Sequence, residues 1–367
     1  MRRRQVIRAI LEDELLSSDD DLSDVDDGGV QKITVDLDCW RRLGDPTFKK
    51  QFRMDRPTFE LLIVAVGNHL LAAGRWYRIG KLGLDINLMM VLWILATPDS
   101  FRSVSSRFGV STSTVHDHYK CIIEALREMS ANYIRWPTAY EQEIIAENFE
   151  NMYGYPGVCG CIDGSHINIT KPLYQGQRYV DRKANYSIIL QGVCDDNMLF
   201  RDVYVGQPGS VGDKRTFRRS GLGQRILRDP AGVMETHSLL GDGGYTLIEK
   251  VIIPYRDNGA LTPRQRIHNY YHARCRSIIE RAFGLLKGKW RRLKLLQSYC
   301  VEYVVDHITS CAVLHNFIIL EGDAFEPDME PEPDLDDDDV NMRQLWQQAK
   351  LDGALRRDFN ADYLYRG

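Results

Sequence analysis

The sequence has 367 residues, of which 44% are hydrophobic and 27% are charged, values that are ordinary for a globular protein. Its eight cysteines form no C-x-x-C pair, so we expect no structural zinc, no disulfide framework and a reducing intracellular compartment. No uninterrupted apolar run approaches the roughly 18 residues that span a bilayer, and no apolar core follows the basic N-terminus. We therefore expect neither a membrane protein nor a secreted one.

The net charge of −4 hides an uneven distribution along the chain. Residues 9–28 carry nine acids and residues 321–340 carry eleven, and neither run contains Lys or Arg. Without these twenty acids, 31 remain against 47 basic residues, so the body of the protein carries about +16. We expect two disordered acidic segments, an N-terminal arm at 1–29 and a linker at 321–340, with a helical tail at 341–367.

The first part of the body has the periodicity of helices, which predicts a helical domain at 30–150. Within it, residues 103–126 resemble a helix-turn-helix with Gly109 at the turn. That motif would present four side chains to the major groove of DNA, namely Ser111, Thr112, Ser113 and His116. A helical hairpin inside a bundle explains the same spacing almost equally well.

After residue 155 the amino-acid pattern changes to short runs rich in Val, Ile, Leu and Cys, separated by Gly, Pro and Asn. Five such runs are GVCGCIDGSHINIT, SIILQGVCD, LFRDVYVG, HSLLGDGG and KVIIPY, and two long helical stretches follow them. This order predicts an α/β domain at 151–320, with a mixed sheet and covering helices.

Four acids stand where their neighbours give no structural reason for a charge: Asp163, Asp213, Asp242 and Glu280. Each one alone is more often a turn former, a helix cap or an ion-pair partner. Together they fit hard divalent cations, which take carboxylate ligands from separate parts of a fold. Two such ions can activate a water and stabilise the leaving oxygen of a phosphodiester.

The helical stretch around Glu280 supports this interpretation. Arg276 and Lys287 lie on the same face as Glu280, while Ile279 and Phe283 belong to an adjoining apolar stripe. The acid is therefore predicted to lie at the edge of the core, beside cations that can bind phosphates.

Several ordered motifs now identify a family: CIDGSHINITKP, YVDRK, LQGVCDDNMLFRDVYVGQPGSVGDKRTF, LLGDGGY, IIERAFGLLKGKWRRL and LHNF. Across about residues 50–320 the sequence resembles the PIF/Harbinger-type DDE transposases, which include domesticated Harbinger-derived nucleases. The resemblance implies an RNase H-like catalytic fold with Asp163 as the first acid and Glu280 as the last. In such a sheet the middle acid ends the fourth strand, which favours Asp242 and makes Asp213 an accessory ligand. Ala273 replaces a tyrosine of related bacterial transposases.

The same resemblance implies cofactors and partners. Two Mg²⁺ (or Mn²⁺) ions are expected, with double-stranded DNA as substrate in the form of transposon terminal repeats and a target site. A Myb-like partner protein, a homo-oligomer and a nuclear location with a cytoplasmic pool are also expected.

Basic residues and one tyrosine near the predicted site form the expected DNA footprint. The residues are Tyr179, Arg182 and Lys183 between the first two strands, and Arg276, Lys287, Lys289, Arg291, Arg292 and Lys294 on or just after the helical stretch 264–293. Such cations bind phosphates without reading sequence. The stretch 291–294 could equally be a nuclear localisation signal.

Three functions remain open at this point. The first is a transposase that cuts and joins transposon ends, and the second is a nuclease without strand transfer, which would use the same residues. The third is a domesticated DNA-binding or scaffold protein that does not cut, although all its candidate carboxylates are present.

Overall fold

The structure is a computed structural model that describes residues 35–172, 175–297 and 301–323. The predicted N-terminal arm, the C-terminal tail and most of the acidic linker lie outside the described residues. The chain divides into two compact units. In its described parts, unit 1 comprises residues 35–133, 168–172 and 286–323, and unit 2 comprises residues 134–167 and 175–285.

Unit 1 is helical. Its α-helices are α1 (Asp38–Arg41), α2 (Asp45–Phe52), α3 (Arg56–Ala72), α4 (Leu84–Ala96), α5 (Phe101–Phe108), α6 (Thr112–Glu128) and α7 (Ser130–Tyr133), and 3₁₀ helices span Trp76–Leu82 and Arg291–Lys294. Nearly every residue of α4 is buried. A helix that is apolar on all sides is a core element, and α4 is the central helix of this unit.

The helix-turn-helix segment has the predicted local structure. Helix α5 ends at Gly109, whose φ of +65° is readily adopted only by glycine, and Ser111 caps α6 by accepting a hydrogen bond from the Thr114 amide (3.0 Å). A helix-turn-helix would turn four residues inward, Val104, Phe108, Val110 and Val115. Three of them are buried and Val110 is half-buried.

Unit 1 also includes a helix from the far end of the chain. Val301–Leu320 packs against α6, where Ser310 donates a hydrogen bond to the Ile123 carbonyl (2.9 Å). The helices predicted at 30–150 therefore do not form a compact unit by themselves. The reason is that the buried face of α6 is covered by residues nearly 190 positions away, which no local pattern reveals.

By length and composition, Val301–Leu320 and the bent pair Trp76–Leu82 with Leu84–Ala96 could cross a membrane. This is weak support for a span, since core helices share these properties. About two thirds of the most apolar part of Val301–Leu320 is buried in the protein.

Unit 2 begins with α8 (Ala139–Tyr153) and contains the sheet. The strands are β1 (Val158–Asn168), β2 (Ser187–Cys194), β3 (Phe200–Pro208), β4 (Ser238–Gly241) and β5 (Val251–Ile252), so each of the five predicted runs holds a strand. Their order is β3-β2-β1-β4-β5. Strand β4 is parallel to β1 and to β5, while β2 and β3 are antiparallel to each other. The predicted mixed α/β class is confirmed.

Helices connect and flank these strands. A 3₁₀ helix, Gly176–Tyr179, precedes β2, and α9 (Asp213–Arg219), α10 (Gly221–Arg228) and α11 (Pro230–Val233) lie between β3 and β4. Helix α12 (Pro263–Lys289) follows β5. The sequence favoured one helix through Leu293, but α12 stops earlier, because Trp290 leaves the helical conformation at φ −101° and ψ 76°.

Candidate active site

The parallel pairing of β1 with β4 brings two acids together. Ile162 of β1 is in register with Gly241, the last residue of β4. Asp163 and Asp242 directly follow these paired residues, so their backbones are neighbours beside the carboxyl end of β4. The Asp163 carboxylate accepts a hydrogen bond from the Gly164 amide (2.7 Å), and that of Asp242 accepts one from the Gly244 amide (2.9 Å).

Asp213, the first residue of α9, reaches the same place. Its Oδ1 lies 2.5 Å from the position that a Cβ on Gly164 would take, and its Oδ2 lies 2.7 Å from that of a Cβ on Gly244. Glycine at these two positions therefore leaves the space that the carboxylate occupies. The structure thus brings Asp163, Asp213 and Asp242 together, and we call these three residues the aspartate cluster.

Glu280 joins the aspartate cluster through Arg276. The Arg276 guanidinium donates to Asp163 Oδ2 (2.9 Å) and, with its other terminal nitrogen, to Glu280 Oε1. The two residues of this pair on α12 are four apart, as expected for one helical face. Arg276 was predicted to contact DNA, whereas here it bridges the first and the last acid. The Glu280 side chain is 55% exposed.

The electrostatic environment disfavours negative charge at the aspartate cluster. Burial, together with the charges of Asp242 and Asp213, raises the pKa of Asp163 to about 6, although the Gly164 amide and Arg276 oppose the shift. Burial and the charge of Asp242 also raise the pKa of Asp213. Carboxylates held together at this cost are typical of functional sites, and a bound cation would relieve the repulsion.

The donor set fits a hard divalent cation, since all the candidate ligands are carboxylate oxygens. The side chains do not yet form a closed site. Within residues 35–172, 175–297 and 301–323, no three His, Cys, Asp or Glu groups are arranged to share one ion. Arg276 occupies one oxygen of Asp163 and one of Glu280, so it competes with a cation for these two carboxylates.

The predicted basic footprint needs a correction. Lys289 is 4% exposed and Arg292 is 9% exposed. Arg292 donates to the Asp99 carbonyl and lies over the Phe101 ring, 5.7 Å from its centre. These charges are thus directed into unit 1, and Lys287 is partly buried as well. Arg291 and Lys294 are exposed and remain candidates for phosphate contacts.

The other DNA candidates are accessible. Arg182 and Lys183 are exposed, Tyr179 is half-buried, and the charge of Arg182 lowers the pKa of Asp213, which places it near the aspartate cluster. In unit 1 the four side chains of the predicted recognition face, Ser111, Thr112, Ser113 and His116, are exposed.

His166 lies three residues beyond Asp163, a position that predicts the opposite face of an ideal strand and a structural or supporting role. What the sequence does not show is the approach of His166 to Asp213. Its Nδ1 lies 2.9 Å from Ser187 Oγ, and its charge lowers the pKa of Asp213. Strand alternation alone fails here, because Asp213 comes from a helix and not from the sheet.

Comparisons with known proteins agree with this geometry. Residues 162–316 match the family described as DDE superfamily endonuclease. The Arabidopsis thaliana protein Antagonist of Like Heterochromatin Protein 1 is 33% identical over 78% of this chain and 76% of its own length. Human HARBI1, whose name describes it as a candidate nuclease, is 30% identical over 62% of this chain and 65% of its own length. No solved structure matches. The chain belongs to the DDE superfamily endonucleases, with Harbinger-derived nucleases among its relatives.

Stabilisation by metal should depend on pH. A protein with Mn²⁺ at 100 times its Kd should gain about 2.7 kcal/mol of unfolding free energy, read as a rise in melting temperature at pH 7.5. The gain should shrink as the pH falls through about 6, because protons then compete for Asp163. Without metal, the pH dependence of stability has the opposite sign. Between pH 3.8 and about 6, folded Asp163 retains a proton that the unfolded chain releases, so the unfolding free energy falls as the pH rises.

Asp163→Asn should lose the metal-dependent gain, and Asp257→Asn, which removes an exposed acid in the loop before α12, should keep it. An equal gain in both variants would place the Mn²⁺ outside the aspartate cluster.

Proposed function

We propose that this protein is a metal-dependent endonuclease that cleaves the phosphodiester backbone of double-stranded DNA. The observation that supports it is the convergence of Asp163, Asp213 and Asp242 beside the end of β4, where the middle of β1 pairs with it. The strand order is compatible with the RNase H-like fold that the family resemblance implies. The catalytic carboxylates are Asp163, Asp242 and Glu280, and Asp213 assists them.

The ions expected here are two Mg²⁺ or Mn²⁺, which when bound supply an activated water and a stabilised leaving oxygen. The aspartate cluster and Glu280 would hold them. Burial keeps Asp163 poorly solvated, so its oxygens gain more from a cation than they would in water. Arg276 exchanges a carboxylate for a phosphate oxygen, since guanidinium binds both in the same forked geometry.

Asp242 is the middle acid of this proposal, and Asp213 is the accessory one. Asp242 extends a central strand, whose position the sheet fixes on both sides. Asp213 opens a short helix, and its carboxylate enters the cluster only because residues 164 and 244 lack side chains. The more rigidly held carboxylate suits a ligand whose displacement would stop the reaction.

DNA is held by exposed cations and by the recognition face of α6. Arg182 and Lys183 lie on the loop before β2, and Arg291 and Lys294 follow α12. From the family resemblance we also propose strand transfer of transposon ends, a Myb-like partner, a homo-oligomer and a nuclear location with a cytoplasmic pool.

A second candidate is a DNA-bound protein that does not cut. Arg276 pairs with both Asp163 and Glu280, which is the arrangement expected of carboxylates kept as a structural ion pair. One relative is also named as an antagonist of a heterochromatin protein and not as a nuclease. Cleavage assays distinguish this candidate from the first.

Replacing each catalytic carboxylate should abolish cutting. Asp163→Asn, Asp242→Asn and Glu280→Gln should each lower Mg²⁺-dependent cleavage at least about 100-fold, because a lost ligand forfeits several kcal/mol of transition-state stabilisation. The substrate is an end-labelled duplex enriched by repeated binding to the protein, with a plasmid as target. Binding of the duplex should stay within a few fold.

Asp213→Asn is the informative comparison, and we expect it to retain partial activity. Loss of cleavage with Asp213→Asn but not with Asp242→Asn would exchange the two roles. A native protein that binds the duplex and never cuts it would support the second candidate, and products joined to the plasmid would add strand transfer.

The exposed cations after α12 should contribute non-specific DNA affinity. Arg291→Glu with Lys294→Glu should weaken binding to all sequences similarly. The slope of log K against log salt should fall by up to about 1.8, or about 0.9 for each lost phosphate contact. Binding at several salt concentrations measures this slope.

The matched control, Arg228→Glu with Arg256→Glu, makes the same change of net charge at two exposed residues outside the proposed interface. If both variants change the slope equally, net charge and not local contact is responsible. An unchanged slope together with cytoplasmic retention would assign residues 291–294 to nuclear import.

A further inference from the structure

The described chain ends at an anchored residue. Asp323 follows the helix Val301–Leu320 and is 4% exposed. Its Oδ2 accepts a hydrogen bond from the Asp55 amide (2.6 Å), and its Oδ1 forms an ion pair with Lys49 Nζ (2.9 Å). The chain therefore leaves unit 1 at a fixed point, beside the start of α3.

Positive charges surround this exit. Lys289 interacts electrostatically with Asp323, Asp55, Lys49 and Arg53, and Arg53 interacts with Arg291. The acids Asp55 and Asp323 both pair with Lys49. All of these residues belong to unit 1. We call Lys49, Arg53, Lys289 and Arg291 the cationic corner.

Two arginines of the cationic corner lack a counter-ion within residues 35–172, 175–297 and 301–323. Neither the Arg53 nor the Arg291 side chain has an ion pair or hydrogen bond there, and the buried Arg53 Nε has no hydrogen-bond partner. Burial and the charge of Arg291 lower the pKa of Arg53. A buried donor without a partner is destabilising, so the corner is suited to an anion.

The segment that follows Asp323 has the complementary charge. Residues 324–340 contain nine acids and no Lys or Arg. A chain of 17 residues reaches up to about 60 Å when extended, so every cation of the corner is within its range. Carboxylates pair with guanidinium groups in bidentate geometry, which suits Glu and Asp side chains to Arg53 and Arg291.

We propose that the acidic segment 324–340 binds to the cationic corner of its own chain. Attachment at Asp323 gives the segment an effective concentration in the millimolar range, so weak individual contacts suffice for occupancy. Where the corner also meets DNA, as the proposed function implies for Arg291, the segment competes with phosphate and makes the protein self-inhibited at low salt.

The test uses three full-length chains and a labelled peptide of residues 324–340. The first chain is native, and the second has the nine acids of 324–340 changed to Asn or Gln. The third has the nine acids of residues 11–27 changed instead, which matches the second in segment length and in charge removed. Fluorescence anisotropy then measures peptide binding at low salt.

The peptide should bind the second chain at least about tenfold more tightly than the native or the third chain, whose corners are already occupied. Arg53→Glu with Arg291→Glu in the second chain should abolish this binding. Should that variant not fold, Arg291→Glu alone, at an exposed position, should weaken it about tenfold. Equal peptide binding to the native and second chains, or unchanged binding after charge reversal, would overturn the proposal.

Sedimentation distinguishes binding of the segment to its own chain from binding to a second copy of the chain. Concentration-dependent association of the native chain that is lost in the second chain would mean that the segment binds in trans, which also contradicts the proposal. Separately, the second chain should bind duplex DNA about two- to tenfold more tightly than the native chain at low salt. If no chain binds DNA, the proposed function fails while the peptide result stands.

Discussion

Repulsion among carboxylates where the middle of β1 meets the end of β4 is the constraint on which the site depends. The parallel register fixes Asp163 beside Asp242, and two glycines admit Asp213 to the same space. Burial then removes the water that would screen these charges, so the pKa of Asp163 rises to about 6. A fold selected for stability alone would not collect three acids here, because each one makes the charged forms of the others less favourable.

Arg276 is the local response to this repulsion. It pairs with Asp163 and Glu280 and so reduces the negative charge facing the sheet. Removal of one partner of such a pair is destabilising, because it would leave a poorly solvated charge. Arg276 also competes with an incoming cation for the same carboxylates. In the proposed nuclease the same residue would exchange these carboxylates for a phosphate.

The sheet and its acids could be predicted from sequence because their signals are local or carried by family motifs. Runs rich in Val, Ile, Leu and Cys between turn formers indicate the five strands, and LLGD places Asp242 at a strand end. Other features depend on distant packing. Nothing near Lys289 and Arg292 in the sequence indicates that unit 1 buries them, and nothing near α6 indicates that Val301–Leu320 covers it. The direction of the Arg276 side chain also depends on β1, which is 113 residues away from it.

Diffraction at the manganese absorption edge tests the central claim most directly. Crystals of the native protein soaked in Mn²⁺ near pH 7.5 should show an anomalous peak about 2.0–2.6 Å from oxygens of both Asp163 and Asp242. The bond between Arg276 and Asp163 should be broken in the same crystals. Clear density for the cluster without such a peak, and with the Arg276 pair intact, would contradict the account.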